Sequence, residues 1–244
     1  MKHTIIATAV AAGLIVGAAT ASAQTPSPRS PGEIFLNVNA GGLIQDRTFG
    51  STGTFTSFGE TGSFETKENV GKAFVIDALG GYQFGQHLAF GVGIWFASAK
   101  AAVAAAAIMP DPVFFGRFTT ITPAAPTDLK QRTLGIDIDL IYTMPLTNRI
   151  DVAFSVGPTI AHVSQDVGSL VVSPTAQTAT INVEKQSKTT AKAGNVGVDV
   201  TYKMAEKYGI GGFVRFAGGE ADLPAAPKMK VGGLQVGGGI RMRF

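Results

Sequence analysis

The chain contains no cysteine, so it forms no disulfide framework and has no cysteine to which a lipid anchor attaches. Charged residues make up only 15% of the chain, and a formal net charge of +3 is too small to indicate a nucleic-acid-binding surface. The sequence also lacks metal-ligand spacing and a phosphate-binding glycine loop. We therefore expect no cofactor, no metal and no nucleic-acid partner.

Long apolar runs are missing as well. Beyond the N-terminal segment, no stretch of about 18 uncharged apolar residues predicts a transmembrane helix. The mean hydropathy is nevertheless +0.24, and 45% of the residues are hydrophobic. An exported chain of this kind needs another way to hide its apolar surface, and a closed barrel does so because neighbouring strands satisfy every backbone group.

The first 23 residues have the pattern of an export signal. Lys2 supplies a positive start, residues 5–16 form an apolar core, and Ala21, Ser22 and Ala23 form a small-residue cleavage site. We expect cleavage before Gln24, a short extended periplasmic lead over residues 24–32, and one barrel domain over residues 33–244.

Eight segments alternate between apolar and small or polar residues with the same parity. In the clearest of them Leu134, Ile136 and Ile138 face one way, while Gly135 and Asp137 face the other. The eight segments are residues 33–44, 72–84, 87–98, 132–143, 150–162, 192–203, 208–216 and 231–244. Short turns and long loops alternate between them, so the sequence predicts an all-β protein, an eight-stranded antiparallel up-and-down transmembrane β-barrel. A soluble β-sandwich also alternates, but its outer face is polar.

The last segment closes the chain with two inward arginines, Arg241 and Arg243, and a terminal aromatic, Phe244. It resembles the last strand of Gram-negative outer-membrane barrels, in which the barrel-assembly machinery recognises the final aromatic. With the signal segment and the alternating strands, it places the chain close to the small barrels of the outer-membrane protein A and W type. That resemblance implies a monomeric outer-membrane protein with a structural, envelope-integrity and surface-interaction role, or alternatively a narrow channel for small hydrophobic molecules.

Two features of the outward parity predict how the barrel sits in its membrane. All four tyrosines fall at the turn ends of strands, where amphipathic rings form the periplasmic aromatic girdle. Six basic or titratable groups fall at the loop ends, where we expect them to contact lipopolysaccharide phosphates, although charged residues also commonly end apolar strands. These six are Lys72, Lys100, Arg132, His162, Lys192 and Lys230.

The inward parity carries charges of both signs. A barrel of eight strands is just wide enough for its side chains to fill, so we expect a buried charge network, with a narrow gated ion path as the alternative. Its members are Asp77, Asp137, Asp139, Asp151, Asp199, Arg215, Arg241 and Arg243.

The long loops are unusually apolar. They contain Phe49, Phe55, Phe58 and Phe64 in the first, and residues 101–109 with Phe114, Phe115 and Phe118 in the second. Residues 54–58 and 170–172 have the composition of hairpins that extend strands above the membrane. The aromatic residues either pack on one another or line a mouth for a hydrophobic compound.

One short motif bears on catalysis. His162-Val163-Ser164 resembles the His-x-Ser of outer-membrane lipid A deacylases, although Gln165 stands where that family has Asn. No acid is placed beside the pair by the sequence, so we expect a protein that is not an enzyme.

Overall fold

The computed structural model describes residues 31–44, 47–124, 129–223 and 226–244 of the chain. The predicted signal segment and residues 24–30 of the predicted lead lie outside the described residues. The described part is all-β, and it contains no helix with the length and hydropathy needed to cross a membrane. The ten strands are β1 Ile34–Ile44, β2 Arg47–Ser57, β3 Glu60–Gln83, β4 Leu88–Pro110, β5 Phe118–Ile121, β6 Leu129–Pro145, β7 Ile150–Ser173, β8 Thr178–Lys203, β9 Tyr208–Leu223 and β10 Ala226–Arg243.

Eight of these strands form a closed antiparallel ring in the order β1, β10, β9, β8, β7, β6, β4, β3 and back to β1. The chain closes on itself where β1 pairs with β10, with Leu36 opposite Met242 and Ala40 opposite Gly238. At the end of that seam the Phe244 amide donates to the Ile34 carbonyl at 2.9 Å. The predicted eight-stranded up-and-down barrel is therefore confirmed, including the pairing of its first and last strands.

The wall has one apolar face and one polar face, as the parity predicted. On β4, Phe90, Val92 and Ile94 are each about half exposed on the outside, whereas Trp95 is buried inside. This alternation follows from the pleat, which sends successive side chains to opposite sides of a strand. The wall thus has an apolar outer face, and its inner face combines buried polar groups such as Asp137 with apolar ones such as Trp95.

Most strands are longer than predicted at their loop ends. The prediction that residues 101–109 lie in a loop is wrong, because they form the upper half of β4 and their odd-numbered side chains are buried. The predicted strands beginning at Lys72 and Lys192 begin instead at Glu60 in β3 and Thr178 in β8. The predicted hairpins at 54–58 and 170–172 are confirmed in the β2–β3 and β7–β8 pairs.

These extra residues build an outer extension, here defined as residues 47–70, 101–121 and 165–191. Among the described residues, the β1–β10 pairing reaches only Ile44 opposite Leu234, and the β4–β6 pairing only Ala101 opposite Leu129. Beyond those pairs β2, β3, β4 and β5 continue as one sheet, and the β7–β8 hairpin continues as a second. The barrel therefore opens into two facing sheets above its wall.

Apolar and polar contacts hold the two sheets together. Ala107 and Met109 of the first sheet pack with Ala179, Leu170 and Val172 of the hairpin. The aromatic rings of Phe55 and Phe64 join this cluster, so for these two loop aromatics the packing alternative is confirmed.

Glu68 provides the polar contact between the sheets. Its carboxylate accepts hydrogen bonds from the Gly168 amide at 2.7 Å and from Gln165 Nε2 at 3.0 Å. The side chain is 2% exposed, and it lies four residues beyond Lys72 on the loop side of the barrel wall. Burial raises the pKa of the Glu68 carboxyl above its usual range, and the two hydrogen bonds only partly offset that rise.

The raised pKa predicts that acid strengthens the contact between the sheets. A carboxyl whose pKa is higher in the folded state binds more protons there, so its contribution is full below the unfolded value and is lost as pH rises through the folded pKa. We expect hydrogen-exchange protection factors of the β7–β8 hairpin to fall as the pH rises above 4.5, the ordinary pKa of a glutamate carboxyl. The Glu68→Gln variant should lose this dependence, whereas Glu65→Gln, at an exposed ion pair with Lys67, should keep it. An unchanged pH slope in Glu68→Gln would contradict the assignment.

Candidate functional site

The charges inside the barrel form two layers. In the middle layer, Arg215 of β9 crosses the interior to Asp137 of β6, with Nη1 3.3 Å from Oδ2, and to Asp77 of β3 at 3.6 Å. Asp137 also accepts hydrogen bonds from Thr159 at 2.6 Å and from Trp95 Nε1 at 3.2 Å. These partners satisfy a carboxylate that is completely buried.

Neighbouring polar groups complete this middle layer. Asn39 donates to Asp77 at 2.6 Å, and Asn195 donates to Asp139 at 2.9 Å. Arg241 pairs with Asp199 and also donates to Asn39. One connected network thus contains two of the arginines predicted for the interior, Arg215 and Arg241, and four of the predicted aspartates. These aspartates are Asp77, Asp137, Asp139 and Asp199.

The second layer lies at the turn end. Arg243 Nη2 is 2.9 Å from Asp151 Oδ2, and Lys203 Nζ is 3.0 Å from the other oxygen of the same carboxylate. Of the two arginines near the C-terminus, only Arg243 reaches Asp151, since Arg241 is engaged by Asp199. Lys203 was missed, although it is the last residue of a predicted strand and has the same inward parity as Asp199 and Thr201.

Apolar side chains fill the space above the charged layers. Trp95 is the largest fully buried side chain, and it lies directly against Gly135, where a Cβ would approach the indole ring to 2.0 Å. Above it an apolar cluster that includes Leu43, Val75 and Leu129 occupies the interior. Between the charged layers there remains a cavity of about 50 Å³, enough for one or two water molecules. The interior is therefore a packed core.

The outer face of the barrel carries the second candidate site. All six predicted basic positions are exposed, but cross-strand register divides them into two groups. Lys192 lies opposite Glu220 on β9, and Glu220 lies opposite Lys230 on β10. The single Glu220 carboxylate thus lies opposite both lysines, with Cβ atoms about 5 Å apart, and it reduces the positive charge of this part of the surface.

The other four predicted positions and two further lysines form an array here called the basic arc: Lys72, Lys100, Lys130, Arg132, His162 and Lys188. Lys100 lies opposite Lys130, and Arg132 and Lys188 both lie opposite Ser164. Lys130 and Lys188 were not predicted. They have the same outward parity, but they lie two and four residues beyond the predicted ends of their strands. Asp166 lies at the edge of the arc and accepts a hydrogen bond from the Lys130 amide at 3.1 Å.

The basic arc contains a groove on the outer surface. Arg132, His162 and Lys188 line its loop side, Phe96 and Leu134 line the side toward the apolar band, and the hydroxyls of Ser164 and Thr190 lie between them. Thr190 Oγ1 and His162 Nδ1 are 2.8 Å apart. This arrangement places cations and hydroxyls above an apolar floor, as a phosphorylated amphiphile requires.

The His-x-Ser motif lies in this groove, but Gln165, the residue that follows it, does not. His162 and Ser164 face outward, whereas Gln165 points inward and bonds to Gln131 and Glu68. Among the described residues, no group of three or more His, Cys, Asp or Glu side chains is arranged to hold a metal ion.

The turn end of the outer face carries the tyrosines. Tyr82, Tyr142, Tyr202 and Tyr208 are all exposed there, and Arg149 donates to the Tyr202 hydroxyl at 3.3 Å. A closed wall with an apolar outer band, tyrosines at one rim, cations at the other and charges inside defines the class of the protein. It is a closed eight-stranded antiparallel β-barrel with the surface pattern of a membrane-spanning wall.

Several solved structures are similar in strand arrangement. Neisserial surface protein A is 15% identical, with 87% of this chain and 99% of that chain covered and a TM-score of 0.47. The outer membrane protein OprG from Pseudomonas aeruginosa is 13% identical, with 90% and 99% covered and a TM-score of 0.46. The attachment invasion locus protein Ail of Yersinia pestis is 11% identical, with 87% and 100% covered and a TM-score of 0.36. No family model and no curated protein sequence matches this chain.

The interior network predicts a large effect of removing its central arginine. Arg215→Met should cost about 3–5 kcal/mol of unfolding free energy, because it leaves Asp77 and Asp137 buried without their cation. Reversible urea unfolding in lipid vesicles measures this cost. Arg149→Met, at the exposed turn end, should change the free energy by less than about 1 kcal/mol. Adding Asp137→Asn to Arg215→Met should recover part of the loss, and a small effect of Arg215→Met alone would contradict the network.

Proposed function

We propose that the protein is a closed, non-enzymatic outer-membrane barrel that holds lipopolysaccharide at its outer-leaflet rim and thereby contributes to envelope integrity. The groove in the basic arc is the observation that carries this function. Arg132 and Lys188 flank Ser164 in adjacent strands, so two cations and a hydroxyl converge where the apolar band ends. A lipid A phosphate binds the cations, and an acyl chain lies on Phe96 and Leu134.

The filled interior favours this function over a channel for small hydrophobic molecules. Trp95 lies against Gly135 in the upper wall, and the ion pairs of Arg215 and Arg243 span the lower interior. A molecule crossing the barrel would have to displace buried, charge-paired side chains, which costs several kcal/mol for each unpaired charge. The refolded protein is accordingly expected to be silent in a planar bilayer.

The groove also favours binding over hydrolysis. Gln165, which stands where the deacylase pattern has Asn, points into the barrel and away from His162 and Ser164. The hydroxyl that His162 contacts is that of Thr190 on the neighbouring strand. His162 therefore supplies a polar ligand to the headgroup.

Export and assembly complete the proposal. Residues 1–23 act as a cleaved signal, and the barrel-assembly machinery recognises the strand that ends in Phe244. Phe244 suits that role because its side chain is 64% exposed at the turn end, beside the seam that closes the ring. The barrel acts as a monomer, and the outer extension carries its contacts with external partners.

Charge reversal in the groove tests lipopolysaccharide binding. The double variant Arg132→Glu, Lys188→Glu should retain roughly tenfold less lipopolysaccharide during purification, because it places two repelling charges against the lipid A phosphate. Quantification of co-purified 3-hydroxy fatty acids measures the retention.

The matched control is Lys192→Glu, Lys230→Glu. It reverses the same number of charges outside the groove, where Glu220 lies opposite both lysines. Both variants should keep the heat-modifiable gel migration of a folded barrel. Equal loss in the two variants would show that net charge rather than the groove retains the lipid, and unchanged retention in the first would refute the site.

A further inference from the structure

The apex of the outer extension consists of three turns that are bonded to one another. The Gly116 amide of the loop at 111–117 donates to Glu60 Oε1 beside the β2–β3 turn, at 2.8 Å. Gln177 Nε2 of the β7–β8 turn donates to the Pro110 carbonyl at 3.1 Å. Within the loop, Asp111 accepts from the Val113 and Phe114 amides at 2.8 and 3.1 Å. The apex is therefore a preorganised platform.

This platform displays apolar side chains to solvent. Phe115 is 85% exposed and Val113 is 76% exposed, close to the values of free side chains. Phe114, Phe118 and Phe58 are each about half exposed beside them. These five residues are here called the aromatic tip. Phe55 and Phe64, in the β2–β3 hairpin that also carries Phe58, are packed between the two sheets. The aromatic tip therefore consists of residues that this packing leaves exposed.

The backbone at Phe58 gives a second indication that this display is retained for a purpose. Phe58 has φ = 52°, followed by Gly59 with φ = 80°, in the two-residue turn between β2 and β3. Such turns favour Asn or Gly at the first position, and a bulky residue with positive φ is strained by about 1–2 kcal/mol. Gln177, which also has positive φ, gains two side-chain hydrogen bonds there. Phe58 instead places its ring partly in solvent beside the other aromatics.

The shape and size of the tip favour a lipid surface as its partner. Side chains as exposed as Phe115 and Val113 project from a convex surface and line no pocket. The tip offers roughly 600 Å² if a free Phe presents about 200 Å², which is below the ~800 Å² that each partner contributes to a stable protein–protein interface. A bilayer needs no complementary shape, and aromatic residues partition well into its interfacial region.

Charge at the tip agrees with this partner. Arg117 lies over the Phe114 ring, with its Cζ 5.7 Å from the ring centroid, so a cation stands just behind the aromatic edge. Two acids lie near this cation: Asp111 accepts bonds from backbone amides and interacts electrostatically with Arg117, and Glu60 accepts a bond from the Gly116 amide. A zwitterionic lipid headgroup that meets the tip therefore finds a guanidinium for its phosphate and carboxylates for its cationic group.

The membrane of the protein itself is out of reach of the tip. The strands continue for roughly a dozen residues beyond the basic arc, which corresponds to about 30 Å of height at ordinary strand rise and tilt. From these observations we propose that the aromatic tip inserts into the phospholipid surface of a second membrane facing the cell. Phe115 and Val113 enter the acyl boundary, and Arg117 binds a phosphate. This inference is independent of the groove in the basic arc.

A tryptophan at the tip tests insertion directly. The Phe115→Trp variant in nanodiscs of ordinary lipid is mixed with phosphatidylcholine vesicles whose acyl chains carry bromine, which quenches tryptophan only on contact. We expect quenching and a blue shift of the new emission. The wild-type protein has only Trp95, buried inside its own barrel, and should show no quenching.

Vesicle co-flotation of the nanodisc-held protein gives the second measurement. The variant Val113→Ser, Phe115→Ser should bind the same vesicles about tenfold less than the wild type. Val171→Ser, which removes an exposed apolar side chain from the flank of the extension, should bind as the wild type does. Absence of quenching in Phe115→Trp, or equal flotation of the tip and flank variants, would overturn the proposal.

Discussion

The structure depends on the requirement that a backbone in an apolar medium hydrogen-bond to itself. An unpaired N–H or C=O in hydrocarbon costs several kcal/mol, so a sheet there has no free edge and closes into a ring. The β1–β10 seam performs that closure, from Phe35 opposite Arg243 to Ile44 opposite Leu234. Closure then dictates the alternation, because each strand has one face toward lipid and one toward the interior. Where the apolar band ends the requirement ends as well, and the ring opens into two sheets.

The same change of surroundings explains which parts of the fold the sequence predicted. Within the apolar band the two faces of each strand differ strongly, and all eight segments, their parity and the seam were predicted. In the outer extension both faces contact water or protein, so the contrast disappears. Residues 101–109 are all apolar and mostly alanine, and residues 184–190 of β8 are all polar, so neither segment has a clear period of two. Only local turn residues identified the hairpins there.

For the candidate site, the sequence determined which side chains face outward, but it did not determine the register between neighbouring strands. Parity predicted that six basic groups face outward, and all six do. Their division into the basic arc and the two lysines beside Glu220 depends on which residue of the next strand lies opposite each of them. Glu220 lies between Lys192 and Lys230 because of hydrogen-bond register between β8, β9 and β10, which one strand's sequence does not determine. Lys188 was missed because its segment lost the alternation that would have shown its direction.

Inside the barrel, the ion pairs fix the relative positions of strands that are not neighbours in the wall. Wall hydrogen bonds join each strand only to its neighbours, whereas Arg241 joins β10 to β8, Arg243 joins β10 to β7, and Arg215 joins β9 to β3 and β6. A slip of one residue in any seam would turn one of these groups outward and leave its partner buried and unpaired, at a cost of several kcal/mol. Buried ion pairs add little net stability compared with apolar packing, but here each pair penalises wrong registers in strands it does not adjoin. Arg241 and Arg243 of the closing strand therefore connect strands across the interior. They favour the one register of the closing seam in which they pair with Asp199 and Asp151.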